Sequence, residues 1–146
     1  MHVETLMDPV KAIRTHKVNG LINLQDFKNM LTAVYHSAEF DPNMHSLWDV
    51  RQADFGGVTP QDIRSLADLV KANWVDKRQN KAAIVVSGLA DYGITRMYEQ
   101  VLGPAAMGKV RIFRNIKSAW DWIEGNANSN ASSRTPQPDS GKNPAA

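Results

Sequence analysis

The segment from Leu47 to Ile63, LWDVRQADFGGVTPQDI, constrains the fold of this chain more than any other. A short apolar strand (Leu47, Trp48, Val50) carries two charges, Asp49 and Arg51, and passes through a turn at Gly56 and Gly57. A helix then opens with Thr59, Pro60 and Asp62. Those residues match the N-cap, N1 and N3 preferences: a threonine oxygen accepts an orphan amide N–H, and proline has none to leave unsatisfied. Strand, tight turn and capped helix form the first half of a βαβ unit, the part of α/β folds beside which ligands usually sit.

The rest of the chain repeats that alternation. Residues 11–18 (KAIRTHKV) predict a first strand ending at the turn dipeptide Asn19-Gly20. A helix is expected from Leu24 to about Ser37, capped by Asn23, with Phe27, Met30, Leu31, Val34 and Ala38 along one face. The second strand covers about 46–51. The second helix runs from 60 to about 76 and buries Ile63, Leu66, Ala67, Val70 and Trp74. The run AAIVVS at 82–87 is continuously apolar, as expected of a parallel strand covered on both faces. A third helix spans about 90–102, stopped by Gly103-Pro104, then a fourth strand at 109–113 and a last helix capped by Asn115 and ended by Gly125. Four strand–helix units predict an α/β fold: a single layer of four βα units on a mainly parallel sheet with right-handed crossovers.

Residues 1–9 are expected to be a flexible N-terminus and 10–124 one folded domain. From Gly125 the composition falls to Asn, Ser, Ala, Pro and Gly without apolar periodicity, so 125–146 are expected to form a disordered tail. No stretch is apolar enough for a signal peptide or a membrane span, which predicts a cytoplasmic protein with no integral membrane segment. There is no cysteine, which excludes disulfides and thiolate chemistry. The net charge is +2, from 17 basic and 15 acidic residues. The basic residues Lys71, Lys77, Arg78 and Lys81 are interleaved with Asp62, Asp68 and Asp76, so that region reads as a solvated helix face, and no nucleic-acid partner is expected.

Little in the sequence points to catalysis. His2, His16, His36 and His45 lie in different elements without metal-ligand spacing, so neither a metal nor a cofactor is expected. Ser87-Gly88 at the tip of the buried strand lacks a nucleophile elbow. Asp49 and Arg51, two apart on a strand, share one face; they form either a charged floor for a polar ligand or an ion pair that orders the strand. The Thr59 hydroxyl is either a phosphate acceptor or a helix cap. Tyr92 and Arg96 are helical neighbours at i, i+4, either a ligand clamp or a surface stack.

Taken together, the Asn19-Gly20-Leu21-Ile22 segment, the LWDVR and AAIVVS strands, the YGITRMY helix segment (Tyr92 to Tyr98) and the closing RIFRN…AWDWI stretch resemble the SpoIIAA-like, STAS-type small bacterial proteins. The resemblance covers about Val10 to Glu124. It implies a compact α/β fold related to the anti-sigma factor antagonists and likened to CRAL-TRIO lipid-binding domains, working as a binding or regulatory module and not as an enzyme. The antagonists carry a phosphorylatable serine in an Asp-Ser-Ser-Gly motif; here Gly57-Val58-Thr59-Pro60 stands in the corresponding stretch, so their phospho-switch does not carry over. The site expected from these readings combines Arg51, Asp54, Phe55 and Thr59 with Ser87, Tyr92 and Arg96, and takes a small ligand or a protein partner. The alternatives are a phosphorylation-controlled switch at Thr59 and a carrier of a small lipid or other apolar ligand. An enzyme using Asp49 with Arg96 or Tyr92 ranks last, for want of a nucleophile–base pair.

Overall fold

The computed structural model describes residues 1–73, 80–106 and 108–125. Trp74, the basic residues Lys77 and Arg78 with Asp76, and the tail beyond Gly125 lie outside the described residues. A five-stranded sheet in the order β1-β2-β3-β4-β5 forms the centre. Its strands are β1 (His2–Asp8), β2 (Ile13–Leu21), β3 (His45–Asp54), β4 (Ala82–Val85) and β5 (Val110–Phe113). Strands β2 to β5 are parallel, and β1 is antiparallel to β2 at the edge. The helices are α1 (Leu24–Tyr35), α2 (Pro60–Ala72), α3 (Leu89–Leu102) and α4 (Ile116–Ile123), with a short 3₁₀ turn at Gly103–Ala106.

Topology dictates which face each helix covers. The crossovers β2-α1-β3, β3-α2-β4 and β4-α3-β5 all step the same way across the sheet, so crossovers of one hand put α1, α2 and α3 on one face. Helix α4 follows the last strand and covers the other face. There Ala119, Trp122 and Ile123 pack on Ile13, Leu47, Ala83, Val85 and Phe113. Strand alternation sends Trp48, Val50 and Ile84 to the three-helix side. Strand β4 is therefore covered on both faces, as its continuous apolar sequence requires; Ala83 and Val85 are fully buried.

Local sequence explains the helix starts. Asn23 and Asn115 each accept an amide N–H three residues on, from Asp26 and Ser118 at 3.0 Å. Thr59 and Asp62 make a reciprocal capping box: Thr59 Oγ1 accepts from the Asp62 amide (3.1 Å) and Asp62 Oδ2 accepts from the Thr59 amide (3.0 Å).

Two expectations are corrected. The N-terminal segment is not loose but forms edge strand β1, paired with β2 from His2↔Asn19 to Asp8↔Ile13. Six of its seven residues are exposed, so it carries no alternating apolar signal; the ladder, half-buried Val3 and a Thr5–His16 hydrogen bond (2.9 Å) hold it. Asp8 Oδ1 accepts the amides of Val10 and Lys11 (3.1 Å each) at the reversal into β2. Second, Asn19-Gly20 does not end the first strand. The strand runs on to Leu21 past a register shift between Lys17 and Asn19, and Gly20, paired with Ala53 beyond that shift, has the positive φ (+89°) that favours glycine.

Candidate functional site

Between the sheet and α1–α3 lies a predominantly apolar cavity of about 180 Å³. Its floor is the helix-facing side of the strands: Arg14 and His16 on β2, Ser46, Trp48 and Val50 on β3, and Ala82 and Ile84 on β4. Its roof comes from apolar faces of the helices, among them Phe27, Leu31 and Val34 of α1, Ile63, Leu66 and Val70 of α2, and Tyr98 of α3. Two lysines tie the roof together. Lys28 Nζ donates to Ser65 Oγ (2.7 Å) between α1 and α2, and Lys71 Nζ donates to the Val101 carbonyl (3.3 Å) between α2 and α3.

Two polar side chains of the lining, Arg14 and His16, stand on β2, and others, among them Ser46, Asn80, Thr95 and Lys109, are spread around the cavity. His16 has no solvent exposure and stacks on Trp48, with ring centroids 3.9 Å apart. Its Nδ1 shares a hydrogen bond with Thr5 Oγ1 (2.9 Å), while its Nε2 is buried with no hydrogen-bond partner among the described residues. Burial, reinforced by the nearby Arg14 charge, lowers its pKa to about 4, so the imidazole is neutral at physiological pH. The Arg14 guanidinium lies over the Phe40 ring, 4.9 Å from its centroid. Burial also pushes the Tyr98 phenol upward, so it remains a protonated donor. The site offers apolar enclosure, aromatic faces and a neutral imidazole edge, which suits binding. Among the described residues no group of three His, Asp or Glu side chains could hold a metal.

The residues expected from sequence divide around this cavity. Phe55, half-buried, lines it. Arg51 lies on the opposite strand face, where its Nε and Nη2 donate to Asp49 Oδ1 and Oδ2 at 2.9 and 2.8 Å. Asp49 is only 6 % exposed, and the arginine holds its carboxyl below the usual range. Asp54 is exposed and accepts the Gly56 amide (2.8 Å). Thr59 is exposed at the start of α2 and Ser87 is exposed beyond β4. Tyr92 packs half-buried against the Val18–Val50–Val86 cluster. The exposed Arg96 pairs with Glu99 (2.9 Å). Burial, and secondarily the like charge of Asp54, raise the Asp91 carboxyl at the start of α3 above its ordinary value.

The residues that line the cavity most distinctively, His16 and Trp48, were not singled out by sequence reasoning. Their signal is present: Arg14 and His16 alternate on the inward face of a strand where apolar residues are the rule.

The SpoIIAA-like family model matches residues 13–124. The chain belongs to the SpoIIAA-like family. The match runs from the first residue of β2 to Glu124, the C-cap just past α4, and leaves edge strand β1 outside. No curated protein and no solved structure matches the chain significantly. The five-stranded α/β architecture is consistent with a SpoIIAA-like fold, and no helix among the described residues is long and apolar enough to cross a membrane.

Proposed function

We propose that this SpoIIAA-like domain is a non-catalytic, cytoplasmic binding module that encloses a small apolar molecule between its sheet and α1–α3, and that occupancy regulates the surface it presents to a protein partner. The observation that carries the reading is the cavity itself. Protein interiors are close-packed, and voids much larger than a water molecule are few. An opening of about 180 Å³ walled by aromatic and aliphatic side chains is of the size that admits a small apolar ligand.

The phosphorylation alternative at Thr59 is disfavoured by electrostatics. Its hydroxyl already accepts from the Asp62 amide, and the Asp62 carboxylate lies back against the Thr59 amide at 3.0 Å. A phosphate there would face a like charge within the capping box.

Xenon titration followed by methyl NMR tests the cavity, because xenon enters apolar voids. Saturable shifts confined to methyl groups that line the cavity, such as Leu31, Val50, Ile63, Val70 and Ile84, are expected. Native mass spectrometry of protein from its own host should then show a bound small molecule released on denaturation. Absence of saturable shifts, with a bare native mass, would overturn the reading.

A further inference from the structure

We infer that the Nε2 edge of His16 is the polar anchor of the cavity, and that the ligand is a small, neutral, aromatic molecule bearing one hydroxyl. The inference rests on the cavity reading above and specifies its chemistry. Buried imidazole nitrogens are ordinarily hydrogen-bonded, since an unpaired polar group in a dry interior is costly. His16 is fully buried and lines the cavity, and its Nδ1 is engaged by Thr5, yet its Nε2 has no partner among the described residues. Such an atom marks a place where a ligand group completes the structure.

The chemical class follows from three features. Thr5 Oγ1 either donates to Nδ1 or accepts from it, which leaves Nε2 as donor in one tautomer and acceptor in the other. A hydroxyl serves both cases through one small neutral group, because it donates and accepts. The imidazole is held neutral and offers an anion no charge, and the Arg14 guanidinium beside it, which also lines the cavity, lies over the Phe40 ring. Finally, Trp48, Phe27, Phe55, Phe40, Tyr35 and Tyr98 all contribute ring faces or edges to the cavity, which favours an aromatic guest in stacked or edge-on contact. The volume limits that guest to one ring or little more; an engineered cavity of about 150 Å³ binds benzene.

Phenol and toluene are near-isosteres that differ in the group proposed to meet Nε2. Both are titrated by calorimetry into the full chain and into His16→Phe, and the ¹⁵N resonance of Nε2 is followed in the unsubstituted protein. Phenol should bind about tenfold more tightly than toluene, the size of one net hydrogen bond. It should also shift the Nε2 resonance, and its advantage should reverse in His16→Phe. Toluene binding as well as or better than phenol, with Nε2 unmoved, would overturn the anchor while leaving the cavity reading intact. Failure of both to bind, in a protein that takes up no xenon, would overturn both. The Nε2 shift decides the question even if His16→Phe does not fold.

Discussion

The imidazole of His16 lies flat on the indole of Trp48, with centroids 3.9 Å apart and planes 19° from parallel. The two residues are register partners across the parallel β2–β3 pair, so strand pairing itself sets the stack. The ring is thereby held in a dry site where protonation is unfavourable, and its charge state becomes a property of the fold.

This coupling predicts acid sensitivity above the carboxylate range. The folded pKa of His16 is depressed to about 4 from an ordinary 6.5, so between those values the unfolded chain binds a proton that the folded chain does not. Stability is therefore full above pH 6.5 and falls as pH drops toward 4, by about 3 kcal/mol at most. His45, also depressed by burial and by Lys81, adds in the same direction. The Asp49 contribution persists lower, being lost only as pH falls below the ordinary carboxylate value through its depressed one. Urea midpoints measured from pH 7.5 to 4 should decline in the wild type and be flatter in His16→Phe. Equal slopes would show that His16 is not the titrating group.

Replacing Thr59 by alanine should cost about 1 kcal/mol, and serine should restore most of it, because the hydroxyl oxygen is the acceptor in the capping box. Denaturant unfolding of the three proteins reads this directly. A neutral alanine variant would mean that Asp62 sustains the helix start alone.

The alternating strands and helices were legible because their signals are local: caps at Asn23, Thr59 and Asn115, a continuous apolar run at β4, and apolar helix stripes at 3.6 spacing. Edge strand β1 was not, since a strand exposed on both faces has no buried period to detect. Asn19-Gly20 misled because Gly20 keeps a turn-like positive φ while remaining paired with Ala53 inside the strand. The expected site followed the rule that ligands sit beyond strand C-termini. The cavity instead lies beneath the helices, and of the expected residues only Phe55 reaches it. What places His16 against Trp48 is strand register, a long-range property that no single segment encodes.

Val85→Asp should abolish folding. Val85 is fully buried among Ile13, Leu47, Phe113 and the residues of α4, and the cations beside that cluster, Lys81 and Arg111, are engaged over the Trp122 ring. An unpaired carboxylate there carries a desolvation cost comparable to the whole stability of a domain this size. Circular dichroism should show loss of the native spectrum; a soluble folded variant would require that α4 does not cover this face.

Arg51 separates an ordering role from a ligand-contacting one. Its guanidinium forks onto Asp49, whose carboxylate is nearly excluded from solvent, while its own side chain is 38 % exposed. Arg51→Ala leaves that carboxylate buried without its principal partner and should cost about 1–3 kcal/mol, with the Asp49 pKa rising toward and above its ordinary value. Asp49→Asn combined with Arg51→Ala removes the stranded charge and should be less damaging than Arg51→Ala alone, so the double-mutant cycle yields a favourable coupling energy. Neither substitution should alter xenon uptake, because both side chains project from the sheet face opposite the cavity. Loss of xenon binding in a folded Arg51→Ala protein would place Arg51 in the ligand site after all, whereas a coupling energy near zero would show that the pair contributes nothing to strand order.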